Sequence, residues 1–174
     1  MLLLIVLTSV FAMPYSILVP VFARDVLDSG TRGLGLLMGA AGLGAMTGAL
    51  LLATRKSIRG AGGRIAWALV ILGSGLVAFG MSTHLALSMA CLFVVGAGII
   101  TQLATSNTYL QLTAPPAMRG RVISLFMLSL IGMAPFGALL AGAAARGIGA
   151  RSTVALGGLV CLATGLATLR RLRS

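Results

Sequence analysis

Long apolar runs without charge constrain this chain more than any other feature. Residues 1–23 contain no charged side chain, and Gly33–Thr54 contains none either. About 20 consecutive apolar residues cross the hydrocarbon core of a bilayer as a helix. Only helices and closed barrels satisfy the backbone there, and continuous rather than alternating apolar runs indicate helices. The sequence therefore predicts an all-α membrane protein.

The spacing of the runs predicts six transmembrane helices in a single domain, residues 1–174. Their approximate bounds are 2–23, 33–54, 64–82, 85–109, 121–145 and 152–169. The segment "GALL" occurs at Gly48–Leu51 and again at Gly137–Leu140. This recurrence fits a three-plus-three internal repeat, a common plan in transporters.

Composition supports the membrane assignment and excludes several other classes. Only 9% of the residues are charged, whereas a soluble domain carries about a quarter. The net charge of +11 does not predict nucleic-acid binding, because the arginines stand at the ends of apolar runs and form no basic face. Cys91 and Cys161 lie inside apolar runs, where we expect buried thiols. With no further ligands available, neither a metal nor a cofactor is expected.

The distribution of Lys and Arg predicts the orientation. If the chain crosses the membrane six times, the two termini and the second and fourth loops share one side. Nine Lys and Arg residues fall on that side: Arg55, Lys56, Arg59, Arg64, Arg119, Arg121, Arg170, Arg171 and Arg173. The opposite side carries four: Arg24, Arg32, Arg146 and Arg151. Since cytoplasmic loops are richer in Lys and Arg, we expect a plasma (inner) membrane protein with a cytoplasmic C-terminus.

The segment "TAPPAMRGRVISL", Thr113–Leu125, is then a cytoplasmic turn between the fourth and fifth helices. The prolines end the fourth helix, because the residue before a proline is pushed out of the α region. Arg119 and Arg121 start the next helix at the headgroup layer. At the centre of a span each charge would cost about 2.5–3.5 kcal/mol.

Small residues predict where helices approach closely, since packing of small residues drives much of helix association in lipid. In the second helix Gly35, Gly39 and Gly42 share one face, and Gly44 and Gly48 lie nearly opposite, so we expect neighbours on both sides. The alternative is a generic glycine-rich span. The fifth helix carries further packing candidates and a proline that predicts a kink: Gly132, Pro135, Gly137 and Gly142.

Two polar sets lie within the spans. Gln102, Ser106 and Tyr109 share a face of the fourth helix, with Thr105 beside them. Two interpretations of this polar face are open: it lines an aqueous cavity, or its side chains hydrogen-bond to neighbouring helices. We favour the cavity, because the first helix carries a second polar set around Pro14 that includes Tyr15. Pro14 and Pro20 together predict a bent first helix, a frequent feature near transport sites.

The chain resembles the major facilitator superfamily of transporters, and specifically the C-terminal six-helix half of drug and siderophore exporters such as the enterobactin exporter group. The segment "ILVPVFARDVLDSGTRGLGLLMGAAGLGAMTGALL" resembles the family's seventh and eighth helices with their outside loop. The segment "NTYLQLTAPPAMRGRVISLFMLSLIGMAPFGALLAG" resembles the end of the tenth helix, the turn and the eleventh helix. The run from Pro115 or Pro116 through Val122 is the most specific part.

The resemblance implies roles by position. The first and fourth helices would line a central cavity, with Tyr15, Gln102, Ser106 and Tyr109 as candidate substrate contacts. The second and fifth would pack against an N-terminal six-helix half, from the same gene or a separate chain, and the third and sixth would face lipid. Arg119, Gly120 and Arg121 would belong to the cytoplasmic gate. The loop "ATRKSIRGAGGR" departs from the family, because it lacks the aspartate of the gating motif.

The leading hypothesis is therefore one half of a secondary efflux transporter for a small amphipathic solute, working by alternating access. The alternative is a truncated or non-transporting membrane protein that acts as an assembly partner. An intramembrane enzyme is disfavoured, because Ser74 in "GSG" has no general base at membrane depth and the sole histidine, His84, lies in a turn. A channel is disfavoured because no ring of charges is evident.

Overall fold

The computed structural model describes residues 2–54 and 60–173, and the ordered elements in these ranges are all helical. The basic residues Arg55, Lys56 and Arg59 of the predicted cytoplasmic loop lie outside the described residues. The α-helices are α1 (Leu2–Leu7), α2 (Tyr15–Val21), α3 (Gly30–Ala53), α4 (Ala61–Met81), α5 (Leu85–Thr113), α6 (Arg119–Met127) and α7 (Ala134–Arg173). Three π-helical segments, Thr8–Ala12, Phe22–Val26 and Leu128–Gly132, and a 3₁₀ turn at Pro116–Met118 complete the set in these ranges.

Within the described residues, five stretches are long and apolar enough to cross a membrane, where the sequence predicted six. They are Leu3–Val26, Gly30–Ala53, Ala61–Met81, Leu85–Thr113 and Pro116–Leu172. The chain is therefore an integral membrane protein. The count differs because the predicted fifth and sixth helices both fall in the last stretch, where Gly149 is the only non-helical residue between them.

The last stretch is not straight, because the chain reverses near Gly149. Gly149 has φ 84° and ψ 155°, which is not helical. Gly137 and Gly157, on either side of it, approach adjacent residues of the first stretch. A methyl group placed on Gly137 would lie 2.8 Å from the carbonyl oxygen of Val10, and one on Gly157 would collide with the carbonyl of Phe11. In a continuous helix these two glycines would be about 30 Å apart, so residues 134–148 and 150–173 form two arms.

Two prolines interrupt α-helical geometry at corresponding places in two stretches. Pro14 follows the π-helical segment Thr8–Ala12, and Pro135 follows Leu128–Gly132. A proline cannot donate to the carbonyl four residues earlier, so the local ladder is broken, and π segments are a common accommodation of such defects. The two segments touch, since the Ser9 hydroxyl donates to the Leu130 carbonyl at 2.6 Å.

The close glycine contacts fix the relative directions of the helices. On α3, Gly44 faces Phe93 and Gly48 faces Ala97 of α5, so α3 and α5 run parallel. Gly98 of α5 faces Leu72 and Ala68, whereas Gly75 of α4 faces Val95, so α4 and α5 run antiparallel. The second arm of α7 runs antiparallel to α4, as the next contacts show: Gly73 with Gly158, Gly80 with Ala155, and Gly165 with Ala66.

The helix α4 lies at the centre of the described packing, between α5 and the second arm of α7. Its buried side chains, including Leu69, Leu72 and Leu76, join the main hydrophobic core. The opposite stripe of α4 is exposed, with Trp67, Ile71 and Met81 among its members. The helix α4 therefore carries both the core of the domain and an exposed apolar edge, which is where the sequence predicted contact with lipid.

Candidate functional site

The polar face of α5 is buried within the bundle. Gln102 and Ser106 have no exposed surface, and Thr105 is 3% exposed. Gly98, one turn before Gln102, packs on α4 so closely that an added methyl group would lie 3.0 Å from the Cβ of Leu72. Residues four apart share a helix face, so Gln102 lies on the side of α5 that packs toward α4.

Several polar atoms of this face have no hydrogen-bond partner among the described residues. They are both amide atoms of Gln102, the Thr105 hydroxyl and the Ser106 hydroxyl. A buried polar group without a partner costs about 1–3 kcal/mol, and such groups are usually satisfied by ordered water or by another conformation. These atoms are therefore available to ordered water or to a polar solute.

The two tyrosines predicted as cavity residues are both half-buried and occupy different places. Tyr109 lies one turn beyond Ser106 on α5. Tyr15 begins α2 and lines a cavity of about 370 Å³ between the first stretch, Leu76 of α4 and the two arms of α7. No α5 residue is among the described residues that line this cavity. The cavity beside Tyr15 is thus lined without α5, and the grouping of Tyr15 with Gln102, Ser106 and Tyr109 stays a prediction.

The turn "APPAMRGR" is exposed and ends α5, as its prolines predict. Ala114 adopts an extended conformation directly before Pro115, and Pro116–Met118 form the 3₁₀ turn. Arg119, Gly120 and Arg121 are exposed at the start of α6. The Arg119 Nε–H donates to the Ala114 carbonyl at 3.4 Å, which places a cation beside the negative end of the α5 dipole.

The predicted packing glycines separate into two groups. Gly44, Gly48 and Gly137 meet a neighbouring backbone, so an added methyl group would clash there. Gly35, Gly39, Gly42 and Gly142 have open space within 4 Å. Gly132 meets only Leu128 of its own helix, and Pro135 is exposed. On α3, therefore, Gly44 and Gly48 pack against α5, whereas Gly35 and Gly39 border an open groove between α3 and α5, with no atom within 4 Å of an added methyl group.

Sequence reasoning missed the close packing of α4 against the second arm of α7. The third and sixth predicted helices carried no assigned packing residues, yet Gly73 and Gly158 approach each other reciprocally. A methyl on either glycine would lie 2.6–2.7 Å from the carbonyl oxygen of the other. The available signal was the seven-residue spacing of Gly73 with Gly80 and of Gly158 with Gly165, which places each pair on one helix face.

Metal-binding chemistry is not evident in the part of the chain that the structure describes, where no three His, Cys, Asp or Glu side chains cluster. An ion pair joins Arg24 to its neighbour Asp25 at 2.6 Å, at the end of the first stretch. Cys91 and Cys161 are free and buried, as their apolar surroundings predicted.

Comparison with known families agrees with this helical membrane architecture. A family model described as transmembrane secretion effector (MFS_3) matches residues 2–173, nearly the whole chain. No curated protein and no solved structure matches the chain. The resemblance to the major facilitator superfamily is therefore confirmed, whereas its narrower assignment to the enterobactin exporter group stays a prediction. The chain belongs to the transmembrane secretion effector family of major facilitator-type membrane transporters.

Proposed function

We propose that this chain forms one six-crossing half of a secondary active transporter. It would export a small amphipathic solute across the plasma (inner) membrane, by alternating access against a second six-helix unit. Family membership supports the transporter role. The length of the last helical stretch and the glycine packing of α3 support the half-transporter arrangement.

Six crossings are favoured over five by the length of the last stretch. Fifty-seven helical residues would extend about 85 Å, whereas the hydrocarbon core is about 30 Å thick. The reversal near Gly149 would divide the stretch into two crossings, within residues 116–148 and 150–172. The termini then share one side, and the excess of Lys and Arg there favours the cytoplasm.

The observation that best supports a second unit is the unoccupied glycine face of α3. Gly35, Gly39 and Gly42 meet no atom within 4 Å, while Gly44 and Gly48 on the opposite side lie against the α5 backbone. Glycine weakens a helix by roughly 0.5–1 kcal/mol relative to alanine, so an unpacked glycine stripe has no benefit in the isolated domain. Close approach of another helix would account for it.

The substrate would contact Gln102, Ser106, Tyr109 and Tyr15. The unsatisfied atoms of Gln102 and Ser106 support this assignment, because the alternating conformation would expose them to water or solute. These groups are uncharged, which fits an amphipathic solute. Asp25 and Asp28 are the only acidic residues and lie at the outer end of the first stretch, so a proton-coupling carboxylate would come from the second unit.

Arg119, Gly120 and Arg121 would form part of the cytoplasmic gate. Their exposure on the turn between α5 and α6 leaves both guanidinium groups accessible to a partner. The Arg119 contact with Ala114 would couple gate movement to the end of α5. The same helix carries the proposed substrate contacts.

Transport in proteoliposomes tests the proposal. The chain would be reconstituted alone and with a candidate N-terminal six-helix unit, and efflux of a panel of amphipathic dyes measured under a proton or sodium gradient. Efflux is expected only with the second unit. Gly39→Leu should abolish it by blocking the glycine face, whereas Ser74→Leu, on the exposed stripe of α4, should not. Efflux by the chain alone as a monomer would contradict the half-transporter assignment.

A further inference from the structure

The cavity beside Tyr15 lies apart from the polar face of α5. It has a volume of about 370 Å³ and is enclosed by the first stretch, both arms of α7 and Leu76. Binding sites for small ligands begin at about 300 Å³, so this space is large enough for a long apolar chain. It lies next to the Gly149 turn, since Ala144 and Thr153 line it from the two arms.

Its lining is unsuited to water. None of the described residues that line it is charged, and its polar side chains are Tyr15 and Thr153. The Thr153 hydroxyl already donates to the Gly149 carbonyl at 2.8 Å. An ordered internal water needs two to four polar partners, so an apolar occupant fits this space far better than a water cluster.

The mouth of the cavity is continuous with the lipid-facing exterior. Phe11, Leu140 and Leu156 line it and are 40%, 59% and 51% exposed. Because the chain is a membrane protein, exposed apolar side chains at this depth contact acyl chains. The inner wall, in contrast, consists of fully or nearly fully buried residues that include Leu76 and Val154.

Two positive charges stand beside the Gly149 turn, at one end of the cavity. Arg146 and Arg151 flank the Gly149 turn. Arg151 donates to the carbonyls of Gly80 and Met81 at 3.2 and 3.0 Å, which holds it at the end of α4. A phosphate near the turn would therefore meet a favourable field, because guanidinium groups pair with phosphate oxygens.

We propose that this cavity binds one acyl chain of a membrane phospholipid, whose phosphate lies at the level of Arg146 and Arg151. Of the substrate contacts proposed above, Tyr15 lines this cavity, whereas Gln102, Ser106 and Tyr109 do not. The site requires only that the chain is embedded in a bilayer. A bound acyl chain would fill the gap between the first stretch and the two arms and so hold this junction together.

Photolabelling in liposomes tests the site, with the full chain and trace phosphatidylglycerol that carries a diazirine at the end of one acyl chain. Crosslinks are mapped by mass spectrometry. Leu76 and Val154 are buried, so only a chain inside the cavity can label them, whereas the exposed Leu139 reports lipid at the outer surface. We expect labelling of Leu76 and Val154 as well as Leu139.

Ala141→Phe fills the cavity, and Ala143→Phe is its matched control, since Ala143 is exposed on the same arm and does not line the cavity. Labelling of Leu76 and Val154 should fall about tenfold in Ala141→Phe, equal to about 1.4 kcal/mol, and stay unchanged in Ala143→Phe. Ala144→Leu, a smaller filling, gives the same test if the phenyl ring prevents folding. Labelling confined to Leu139 would overturn the proposal. Loss of the buried labels when the second unit is added would assign the cavity to that unit and overturn it equally.

Discussion

Two glycines two residues apart on α3 give a matched test of the helix packing. Gly44 lies against the Phe93 carbonyl of α5, where an added methyl group would overlap the backbone, and Gly42 has open space within 4 Å. The Gly44→Ala and Gly42→Ala variants therefore make the same chemical change in the same helix. They differ only in what the new methyl group meets.

The expected difference in the free energy of unfolding between the two variants follows from two opposing effects. Replacing glycine by alanine inside a helix stabilises it by roughly 0.5–1 kcal/mol, and this gain applies to both variants. At Gly44 the methyl must push α3 away from α5, and overpacking of this kind costs about 1–3 kcal/mol. Because the helix gain cancels in the comparison, Gly44→Ala should be less stable than Gly42→Ala by about 1–3 kcal/mol.

The assay is reversible unfolding of the purified chain in mixed micelles of dodecyl maltoside and sodium dodecyl sulfate, followed by circular dichroism. Gly96→Ala provides the reciprocal variant, since a methyl on Gly96 would overlap the Ala41 carbonyl of α3. It should be destabilised in the same way as Gly44→Ala. Equal free energies of unfolding for the Gly42 and Gly44 variants would refute the packing of α3 on α5.

Three further variants have distinct expected outcomes. Gly39→Ala should leave the isolated chain as stable as wild type or slightly more stable, since this glycine has no neighbour within 4 Å among the described residues. The same variant should weaken co-purification with the second unit. Undiminished co-purification would count against the glycine face as the interface. Gln102→Leu should raise the free energy of unfolding in micelles by about 1–3 kcal/mol, because it removes an amide that has no hydrogen-bond partner. It should also lower efflux. A loss of stability would show that the amide is well satisfied. Ser9→Ala removes the hydrogen bond to the Leu130 carbonyl and should lower the free energy of unfolding by about 0.6 kcal/mol. Ser16→Ala is the control, because the Ser16 hydroxyl bonds within its own helical stretch. Equal effects of the two variants would contradict an interhelical role for Ser9.

The sequence was sufficient to predict the class of fold. Uncharged runs predicted a helical membrane protein, and Pro115 and Pro116 predicted the end of α5. Pro14 and Pro20 predicted a bent first helix, and Pro135 predicted a kink in the fifth. Turns and π-helical segments accompany Pro14 and Pro135, whereas Pro20 lies inside α2. These features depend on local chemistry, which a single sequence displays directly.

Features that depend on several segments were harder to predict. The two glycine faces of α3 look equivalent in sequence, and only the position of α5 decides that Gly44 packs and Gly39 does not. The separation of the last two crossings depends on the conformation of one residue, Gly149. The cavity beside Tyr15 forms where four parts of the chain meet, so no local pattern indicates it.

Cysteine accessibility on both sides of the membrane tests the six-crossing layout most directly. Single cysteines would be placed at Ala117, Gly147 and Leu172, which are all exposed, after replacement of Cys91 and Cys161 by alanine. A membrane-impermeant maleimide is then applied to intact cells and to inside-out vesicles. The account predicts that positions 117 and 172 react only from the cytoplasmic side and position 147 only from outside. Reaction of position 172 from outside, or of 117 and 147 from the same side, would contradict the reversal at Gly149 as a membrane hairpin and the half-transporter built on it.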